Sequence, residues 1–411
     1  FASAPLESMT TASLAAVQLP IASRFDGLRS EGAFEVLASA RALEQKGQHI
    51  LHLEIGEPDF PTAPHIVEAG VRALQNGETK YGPAGGLLDL RIAIANHLAS
   101  HGIKAAPDDI IVTPGSKPIL LYAALALLEN GDEALIPDPA YPIYDSVVRF
   151  AGARPVTYRL DAASGFAPDI DAIAASITSR TRVLFLNSPQ NPTGGVIDAG
   201  RLTALAQLAE ANDLIVIIDE IYRPFNYGAP PVPSILTLPG MRERSILVDG
   251  FSKAYAMTGW RLGYGLLPTP LAPRFALLAL NDHACVPAFV QRAGIAALAG
   301  TQEPLHAMIK EFAVRRQLVS ERLAAIPGVR IDAPAGAFYA FPDVSAITEA
   351  AGITVAQLAS KLLHDHGVAL LPGTAFGAAG EGYLRLSFAT GRADLDRALT
   401  LVHECFTSLA S

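Results

Sequence analysis

The sequence predicts an α/β protein with a large domain, in which helices flank a mostly parallel sheet, and a smaller α+β domain. Short apolar, β-branched runs alternate with helical patterns through the middle of the chain. Such runs are typical of parallel strands that are buried on both faces. The pattern changes in the C-terminal third, where one long helical stretch precedes short strands. The chain has 411 residues and 50% hydrophobic content, enough for two to three domains at roughly 100–200 residues each.

The elements of the large domain follow one another in a regular order. The predicted strands are Asp109–Val112, Glu133–Pro137, Arg182–Leu186, Leu214–Ile218 and Ser245–Val248. The predicted helices between them are Ile119–Leu128, Tyr141–Ala151 and Ala199–Asn212. Strands separated by helices indicate crossover connections and therefore a parallel sheet. We place the large domain at residues 63–298.

The remaining segments predict the smaller domain. Its C-terminal part has helices at Glu303–Ala325 and Val355–His366, and strands at Val329–Asp332, Ala337–Phe341 and Tyr383–Phe388. The segment from Phe34 to Ile55 has its own helix-strand pattern, so we assign residues 25–62 and 299–411 to this domain. Residues 1–24 are interpreted as an N-terminal tail, in which residues 1–8 precede Met9 and are interpreted as a remnant of cloning.

Composition excludes several classes of function. The 31 basic and 40 acidic residues give a net charge of −9, which argues against a general basic surface for nucleic acid or anionic lipid. The longest apolar run, Ile119–Leu128, has about half of the ~20 residues that a membrane span needs. The only two cysteines, Cys285 and Cys405, are far apart, which argues against a disulfide framework. We expect a cytoplasmic protein without a metal, nucleic-acid or membrane partner.

The strongest chemical signal is Lys253, which follows a predicted strand and lies in a loop of small residues. Arg261 comes eight positions later, between Gly259 and Gly263. Largely apolar surroundings disfavour the charged form of lysine and leave a free amine that can attack an aldehyde. The planar guanidinium of Arg261 suits a phosphate. The segment therefore predicts a site for a phosphorylated aldehyde.

A second signal is Asp219, at the end of the apolar strand that begins at Leu214. This position puts a carboxylate at the carboxyl edge of the sheet, where ligands bind in open α/β folds. A carboxylate there can keep a pyridine nitrogen protonated, and Tyr222 is near enough to reach the same ring. The alternative is that Asp219 is the N-cap of a following helix.

Two turns complete the motifs. The segment Asn187–Gly194 (NSPQNPTG) contains two prolines and a glycine, which predict a fixed turn that holds Asn191 rigidly. In the segment Thr113–Pro118 (TPGSKP), Gly115 allows close backbone approach at a strand-to-helix junction. Exposed amides at that helix start, with the Ser116 hydroxyl, make an anion site. Ordinary turns also have these compositions.

Together these segments resemble the class I/II aminotransferases, a family of fold-type-I pyridoxal-phosphate enzymes of the aspartate-aminotransferase type. The resemblance covers about residues 25–405. Its motifs, in order, are Ile55–Phe60 (IGEPDF), Tyr81–Pro83 (YGP), Pro114–Lys117 (PGSK), Asn191–Gly194 (NPTG), Asp219–Tyr222 (DEIY), Ser252–Lys253 with Gly259–Gly263 (GWRLG), and Tyr383–Ser387 (YLRLS).

The resemblance implies pyridoxal 5′-phosphate as the cofactor. Lys253 is then the residue that forms an aldimine with it and afterwards acts as general base and acid. Asp219 pairs with the ring nitrogen, Tyr222 and Asn191 hydrogen-bond the ring hydroxyl, and Tyr141 stacks on the ring. The implied phosphate-binding residues are Gly115, Ser116, Lys117, Ser252 and Arg261.

The resemblance also implies an obligate homodimer with shared active sites, because Tyr81 matches a residue that reaches the phosphate of the neighbouring subunit. Arg385 is implied to bind the substrate α-carboxylate, helped by Asn191 and the backbone near Gly56; alternatively it is a surface arginine on a strand. Gly250 departs from the pattern, since many relatives have a hydroxyl residue there. Asp282 and His283 match a segment that faces the partner's active site in some relatives.

The expected activity is ping-pong transfer of an amino group between an L-amino acid and a 2-oxo acid. Lys117 matches a position that recognises a distal carboxylate in some bacterial relatives, which favours aspartate or glutamate with 2-oxoglutarate as acceptor. Alternatively, Lys117 only supports the phosphate, and alanine, aromatic or specialised amino acids remain open. The same cofactor also serves lyases, γ-replacement enzymes, decarboxylases and cyclising enzymes, which the binding motifs do not distinguish. A non-catalytic sensor domain is disfavoured by the short N-terminal segment.

Overall fold

A computed structural model describes residues 20–28, 30–228, 231 and 233–410. Most of the predicted N-terminal tail, residues 1–19, lies outside the described residues. The strands, in chain order, are β1 (Leu51–His52), β2 (Ile110–Thr113), β3 (Glu133–Asp138), β4 (Arg154–Arg159), β5 (Thr181–Asn187), β6 (Ile215–Asp219), β7 (Ser245–Gly250), β8 (Gly263–Leu266), β9 (Tyr339–Ala340), β10 (Val368–Ala369), β11 (Leu371–Pro372) and β12 (Leu384–Ser387).

The α-helices surround these strands. In chain order they are α1 (Gly32–Glu44), α2 (Pro64–Gln75), α3 (Leu88–Ser100), α4 (Lys117–Leu127), α5 (Ile143–Phe150), α6 (Ile170–Ser176), α7 (Ala199–Ala211), α8 (Ala272–Asp282), α9 (Ala288–Ala299), α10 (Glu303–Ala324), α11 (Ser345–Ala351), α12 (Val355–His366) and α13 (Arg392–Ala410). Among the described residues, no helix is both long and apolar enough to cross a membrane.

The central sheet confirms the predicted fold class. Within the described residues it has seven strands in the order β2-β8-β7-β6-β5-β3-β4. The pairs from β7 to β4 are parallel, and β8 runs antiparallel to both of its neighbours. The side chains of β5, β6 and β7 are largely buried because helices cover both faces, which explains their continuous apolar sequences.

The C-terminal third builds a separate apolar cluster. Here β9, β11 and β12 form an antiparallel sheet, and α10, α12 and α13 pack around it. The rings of Phe312 and Phe338 stack at 5.1 Å in this cluster. Ile221 and Phe225, which follow β6 in sequence, are buried in the same cluster. The end of β6 is therefore fixed against the C-terminal elements.

The N-terminal segment contacts this C-terminal region through a two-stranded ladder, in which Leu51 pairs with Val368 and His52 with Ala369. The domain boundaries at residues 62/63 and 298/299 stay a prediction. The predicted strand Val329–Asp332 is wrong: only Arg330 pairs, as an isolated bridge to Asp343. Pro334 lacks the amide proton that a continuing ladder would need.

Candidate active site

A cavity of about 540 Å³ lies at the carboxyl ends of β5, β6 and β7, facing the C-terminal sheet. All thirteen predicted site residues lie within the described residues, and eleven of them line this cavity. They are Gly56, Ser116, Lys117, Tyr141, Asn191, Asp219, Tyr222, Ser252, Lys253, Arg261 and Arg385. Gly115 and Tyr81 are not part of the lining.

Lys253 lies in the turn that follows β7, and its ammonium Nζ donates to the carbonyl oxygen of Gly56 at 2.6 Å. Loss of solvent around the amine lowers the pKa of Lys253 to about 8. Glu57 acts in the opposite direction, whereas Arg261 and Arg385 reinforce the decrease. An appreciable fraction of Lys253 is therefore the neutral, nucleophilic amine near neutral pH.

Asp219 is the last residue of β6. Its Oδ2 accepts a hydrogen bond from the Tyr144 hydroxyl at 2.9 Å, and its Oδ1 accepts one from the Ile221 amide at 3.1 Å. Burial raises the pKa of Asp219 to about 6, so the carboxylate is ionised at neutral pH. The N-cap alternative is wrong, because turns rather than a helix follow this residue. A buried carboxylate of this kind is stabilised by a cationic partner.

Asn191 lies in the proline-rich turn after β5, where hydrogen bonds hold its backbone. Its amide donates to Asn187 Oδ1 at 2.9 Å, and Asn187 Nδ2 donates to the Asp219 carbonyl at 2.9 Å. The side-chain oxygen of Asn191 is buried, and no hydrogen-bond partner for it lies within the described residues. Since buried polar atoms are nearly always paired, this oxygen fits a donor on a bound molecule.

Tyr222 also lines this cavity. Its hydroxyl oxygen lies 2.6 Å from the Tyr339 hydroxyl. Burial raises the pKa of Tyr222 well above its ordinary value, so the phenol keeps its proton. It can therefore take part in a hydrogen bond with a ring substituent of a ligand.

The other end of the cavity suits an anion. Arg261 Nη1 donates to the Thr258 carbonyl at 3.0 Å, and Ser116 precedes the first turn of α4. Gly115 has φ +81°, and an added Cβ would lie 2.9 Å from Arg261 Cζ. Gly115 thus gives the guanidinium room to approach the helix start. Amides at a helix N-terminus with an arginine and hydroxyls are a phosphate-binding arrangement.

The departure at Gly250 has a structural reason. An added Cβ there would lie 3.0 Å from the Cα of Gly263 and 3.1 Å from the Leu262 carbonyl oxygen. A side chain at this position would therefore need a backbone shift. Ser252, which lines the cavity, is the hydroxyl residue at this end of β7.

Arg385 comes from the opposite wall, on β12, and only 3% of it is exposed. The surface-arginine alternative is therefore wrong. Its Nη2 donates to the carbonyl oxygen of Glu54, and its guanidinium carbon lies 4.6 Å from the Tyr339 ring centre and 5.2 Å from that of Phe376. Burial lowers the pKa of Arg385. Its Nε is buried, without a partner within the described residues, and fits a carboxylate.

Sequence reasoning missed several residues of the cavity, notably Glu31, Tyr144 and Tyr339. Glu31 accepts a hydrogen bond from the Lys117 ammonium. Each of its two carboxylate oxygens lies 3.2 Å from the Tyr141 hydroxyl oxygen. No motif includes Glu31. Tyr144 had a usable signal, because in the predicted helix Tyr141–Ala151 it is three positions after Tyr141, a spacing that puts both residues on one helix face.

Three residues lie elsewhere. Tyr81 is 92% exposed on this chain, and its implied contact with a neighbouring subunit stays a prediction. Asp282 Oδ2 accepts from the Tyr122 hydroxyl at 2.6 Å, and His283 Nδ1 lies 3.2 Å from the same hydroxyl. Neither Asp282 nor His283 lines the cavity of this chain.

Comparisons with known proteins agree with this fold and cavity. The family profile "Aminotransferase class I and II" matches residues 48–402. An aspartate aminotransferase of Musicola paradisiaca is 37% identical over 391 residues, which cover 94% of this chain and 96% of the relative. An aromatic aminotransferase structure from Pyrococcus horikoshii has a TM-score of 0.85 at 38% identity, covering 90% of this chain and 99% of that one. An alanine aminotransferase structure from Pyrococcus furiosus has a TM-score of 0.88 at 32% identity, covering 94% and 100%.

The fold and the cavity thus define a transaminase. The chain belongs to the class I and II aminotransferases, which in general depend on pyridoxal 5′-phosphate. The resemblance found in the sequence motifs is confirmed.

Proposed function

We propose that the protein transfers amino groups in a ping-pong reaction between an L-amino acid and a 2-oxo acid, with pyridoxal 5′-phosphate held at Lys253. Aspartate or glutamate is the favoured donor and 2-oxoglutarate the favoured acceptor. The observation that carries the proposal is the enclosure of three groups in one cavity: the Lys253 amine, the buried Asp219 carboxylate and the buried Arg385 guanidinium.

The residues present fit this cofactor at each of its polar positions. Asp219 would face the ring nitrogen, the Tyr222 hydroxyl and the unpaired Asn191 side chain would face the ring hydroxyl, and Tyr141 would stack on the ring. The helix start at Ser116, with Ser252 and Arg261, would hold the phosphate, and Gly115 provides the close approach. When bound, the cofactor supplies a protonated ring that takes up the electron pair released at the substrate α-carbon.

Lys253 then has two tasks in the reaction. Its neutral amine first serves as the nucleophile, which the pKa of about 8 allows. Once a donor amino acid has replaced it, the freed Nζ accepts the proton from the α-carbon and returns it at the cofactor side. The ionised Asp219, held by Tyr144 and the Ile221 amide, keeps a positive ring nitrogen favourable throughout.

Substrate binding is assigned to the opposite wall and to the mouth of the cavity. Arg385 offers its unpaired Nε for the α-carboxylate that every amino-acid and 2-oxo-acid substrate has. Lys117 adds a second cation near Tyr141, with its Nζ 5.8 Å from the ring centre. Two cations in one cavity suit a substrate with two carboxylates, which supports aspartate or glutamate.

We extend the proposal to a cytoplasmic homodimer. The large exposed ring of Tyr81 is consistent with a contact to a second subunit. The free thiols of Cys285 and Cys405 fit a reducing compartment.

The test is a single-turnover experiment, in which the protein with its cofactor is mixed with a panel of amino acids and the cofactor spectrum is followed. Aspartate and glutamate should convert the aldehyde form to the aminated form, and 2-oxoglutarate should reverse the change. Release of pyruvate and ammonia without the aminated form would refute amino transfer and favour a lyase.

A further inference from the structure

The mouth of the cavity is closed by a short segment that the motifs do not include, Glu31–Phe34, which we call the mouth segment. Glu31 occupies the N-cap position of α1, yet its side chain makes no capping hydrogen bond. The carboxylate turns instead to the cavity, where it pairs with the Lys117 ammonium and the Tyr141 hydroxyl. The side chain of Glu31 is thus directed to the cavity and not to the start of the helix.

The mouth segment also packs against the opposite wall. Ala33 and Phe34 line the cavity, and a Cβ added to Gly32 would lie 3.1 Å from the Cβ of Ala375. This close approach holds the Glu31 backbone between the two walls. The Glu31 carboxylate lines the same cavity as Arg385, so a substrate side chain can meet it when Arg385 holds the α-carboxylate.

The pair between Glu31 and Lys117 is open to exchange. The side chains are 21% and 41% exposed, respectively. Ion pairs with this degree of exposure contribute little free energy, so another carboxylate can replace Glu31 without a large penalty. An unpaired ammonium beneath an apolar substrate side chain, in contrast, loses solvent without compensation.

A ping-pong transaminase must bind two different substrates in turn in the same cavity. We propose that Glu31 is a displaceable internal substitute for the distal carboxylate of a substrate, and thereby determines specificity. A dicarboxylate displaces Glu31 and pairs with Lys117. A substrate with a neutral side chain leaves Glu31 in place, and Lys117 keeps its partner. This inference rests on the proposed function for its substrate class. Glu31 would allow the same cavity to accept both acidic and neutral side chains.

The direct test compares the binding of succinate and butyrate, which have the same carbon chain and differ by one carboxylate. Dissociation constants are measured by titration calorimetry on the protein with its cofactor, for wild type and Glu31→Gln. We expect Glu31→Gln to raise the preference for succinate over butyrate about tenfold, because Lys117 loses its competing anion. A preference that stays within about twofold of wild type would overturn the proposal.

Glu35→Gln is the matched control. Glu35 lies four positions later on α1, bonds to Ser30 and does not line the cavity, so its substitution removes the same charge from the same segment. We expect its succinate preference to equal that of wild type. An equal shift in both variants would mean that only net charge matters, which contradicts the proposal.

A third variant tests whether Glu31 acts through Lys117. In a Lys117→Met background, adding Glu31→Gln should leave the succinate-to-butyrate ratio unchanged, whereas an undiminished shift would overturn the inference. An unaltered cofactor spectrum in all variants shows that the site is intact. Because succinate and butyrate are not transamination substrates, this test can fail while amino transfer holds, and the single-turnover test can fail while this one holds.

Discussion

The two walls of the cavity are built in different ways. The wall formed by the central sheet takes Asn191, Asp219 and Lys253 from the ends of adjacent parallel strands. The opposite wall and the mouth combine Glu31 from the N-terminal segment with Arg385 from β12, which are far apart in sequence. Under the proposed function, the sheet wall would bind the cofactor, and segments distant in sequence would recognise the substrate. Substrate preference can therefore change while the cofactor wall stays the same.

The largest effect should come from the sheet wall itself, at Lys253. Replacing Lys253 with Ala removes both the nucleophile and the proton carrier, and we expect the single-turnover rate to fall by at least about 10³-fold for every amino acid. Lys361→Ala is the control, since Lys361 is an exposed lysine paired with Asp365 on α12. Amino transfer at the native rate in Lys253→Ala would show that this amine is neither the nucleophile nor the proton carrier.

Asp219→Asn should have the next largest effect, because it removes the charge that stabilises a positive ring nitrogen. We expect kcat to fall by about 10²–10³-fold with little change in KM. Tyr144→Phe removes only one hydrogen bond to the same carboxylate, at 2.9 Å, and should cost about tenfold or less. The measurement is steady-state kinetics on both variants. An equal fall in kcat in the two would show that the charge of Asp219 has no special role.

The substrate wall should respond in KM rather than in kcat. We expect Arg385→Lys to raise KM by about 10²-fold for all amino acids, because a lysine cannot reproduce the paired contacts of a guanidinium. Lys117→Met should raise KM only for dicarboxylates. The measurement compares KM for aspartate with KM for 2-aminobutyrate, two amino acids of equal chain length. A general loss in Lys117→Met would instead support its alternative role at the phosphate.

Gly115→Ala should disturb only the phosphate end of the cavity. At φ +81° a Cβ is strained and would press on Arg261. We expect cofactor binding about tenfold weaker and stability lower by about 1–3 kcal/mol. Equilibrium dialysis and thermal unfolding measure the two effects. Unaltered cofactor affinity would mean that Arg261 does not hold the phosphate.

The smallest expected effect is a shift in pH dependence. The pKa of Lys253 is lowered to about 8, so the neutral amine, and with it the rate of reaction of the cofactor-free protein with pyridoxal phosphate, should rise with pH and level off above about 8. Arg261→Gln should move this inflection to higher pH, because a nearby positive charge disfavours the ammonium. A shift to lower pH would contradict the electrostatic account.

Residues of the sheet wall were easier to predict from the sequence than residues of the opposite wall and the mouth. Lys253, Asp219 and Asn191 were found because each follows an apolar strand or lies in a turn. Both kinds of segment can be recognised from residues that are adjacent in the sequence. Glu31 and Tyr339 were missed because their partners lie 86 and 117 positions away, respectively. Such contacts depend on tertiary packing and leave no periodic signal.

The same distinction holds for the fold. The apolar parallel strands β5, β6 and β7 were predicted nearly to their ends, since burial on both faces dictates their composition. Strand β8 was missed because half of its four residues are glycine, which suits its close packing but gives no strand signal. At 329–332, β-branched residues alternate with charged ones and predicted a strand, although only Arg330 makes a bridge.

The central claim is that one amine, that of Lys253, carries the cofactor. The most direct measurement is to incubate the cofactor-free protein with pyridoxal phosphate, reduce it with borohydride and locate the modified lysine by peptide mass spectrometry. We expect stoichiometric label on Lys253 and none in Lys253→Ala. Label at another lysine, or protein that retains no pyridoxal phosphate, would contradict it.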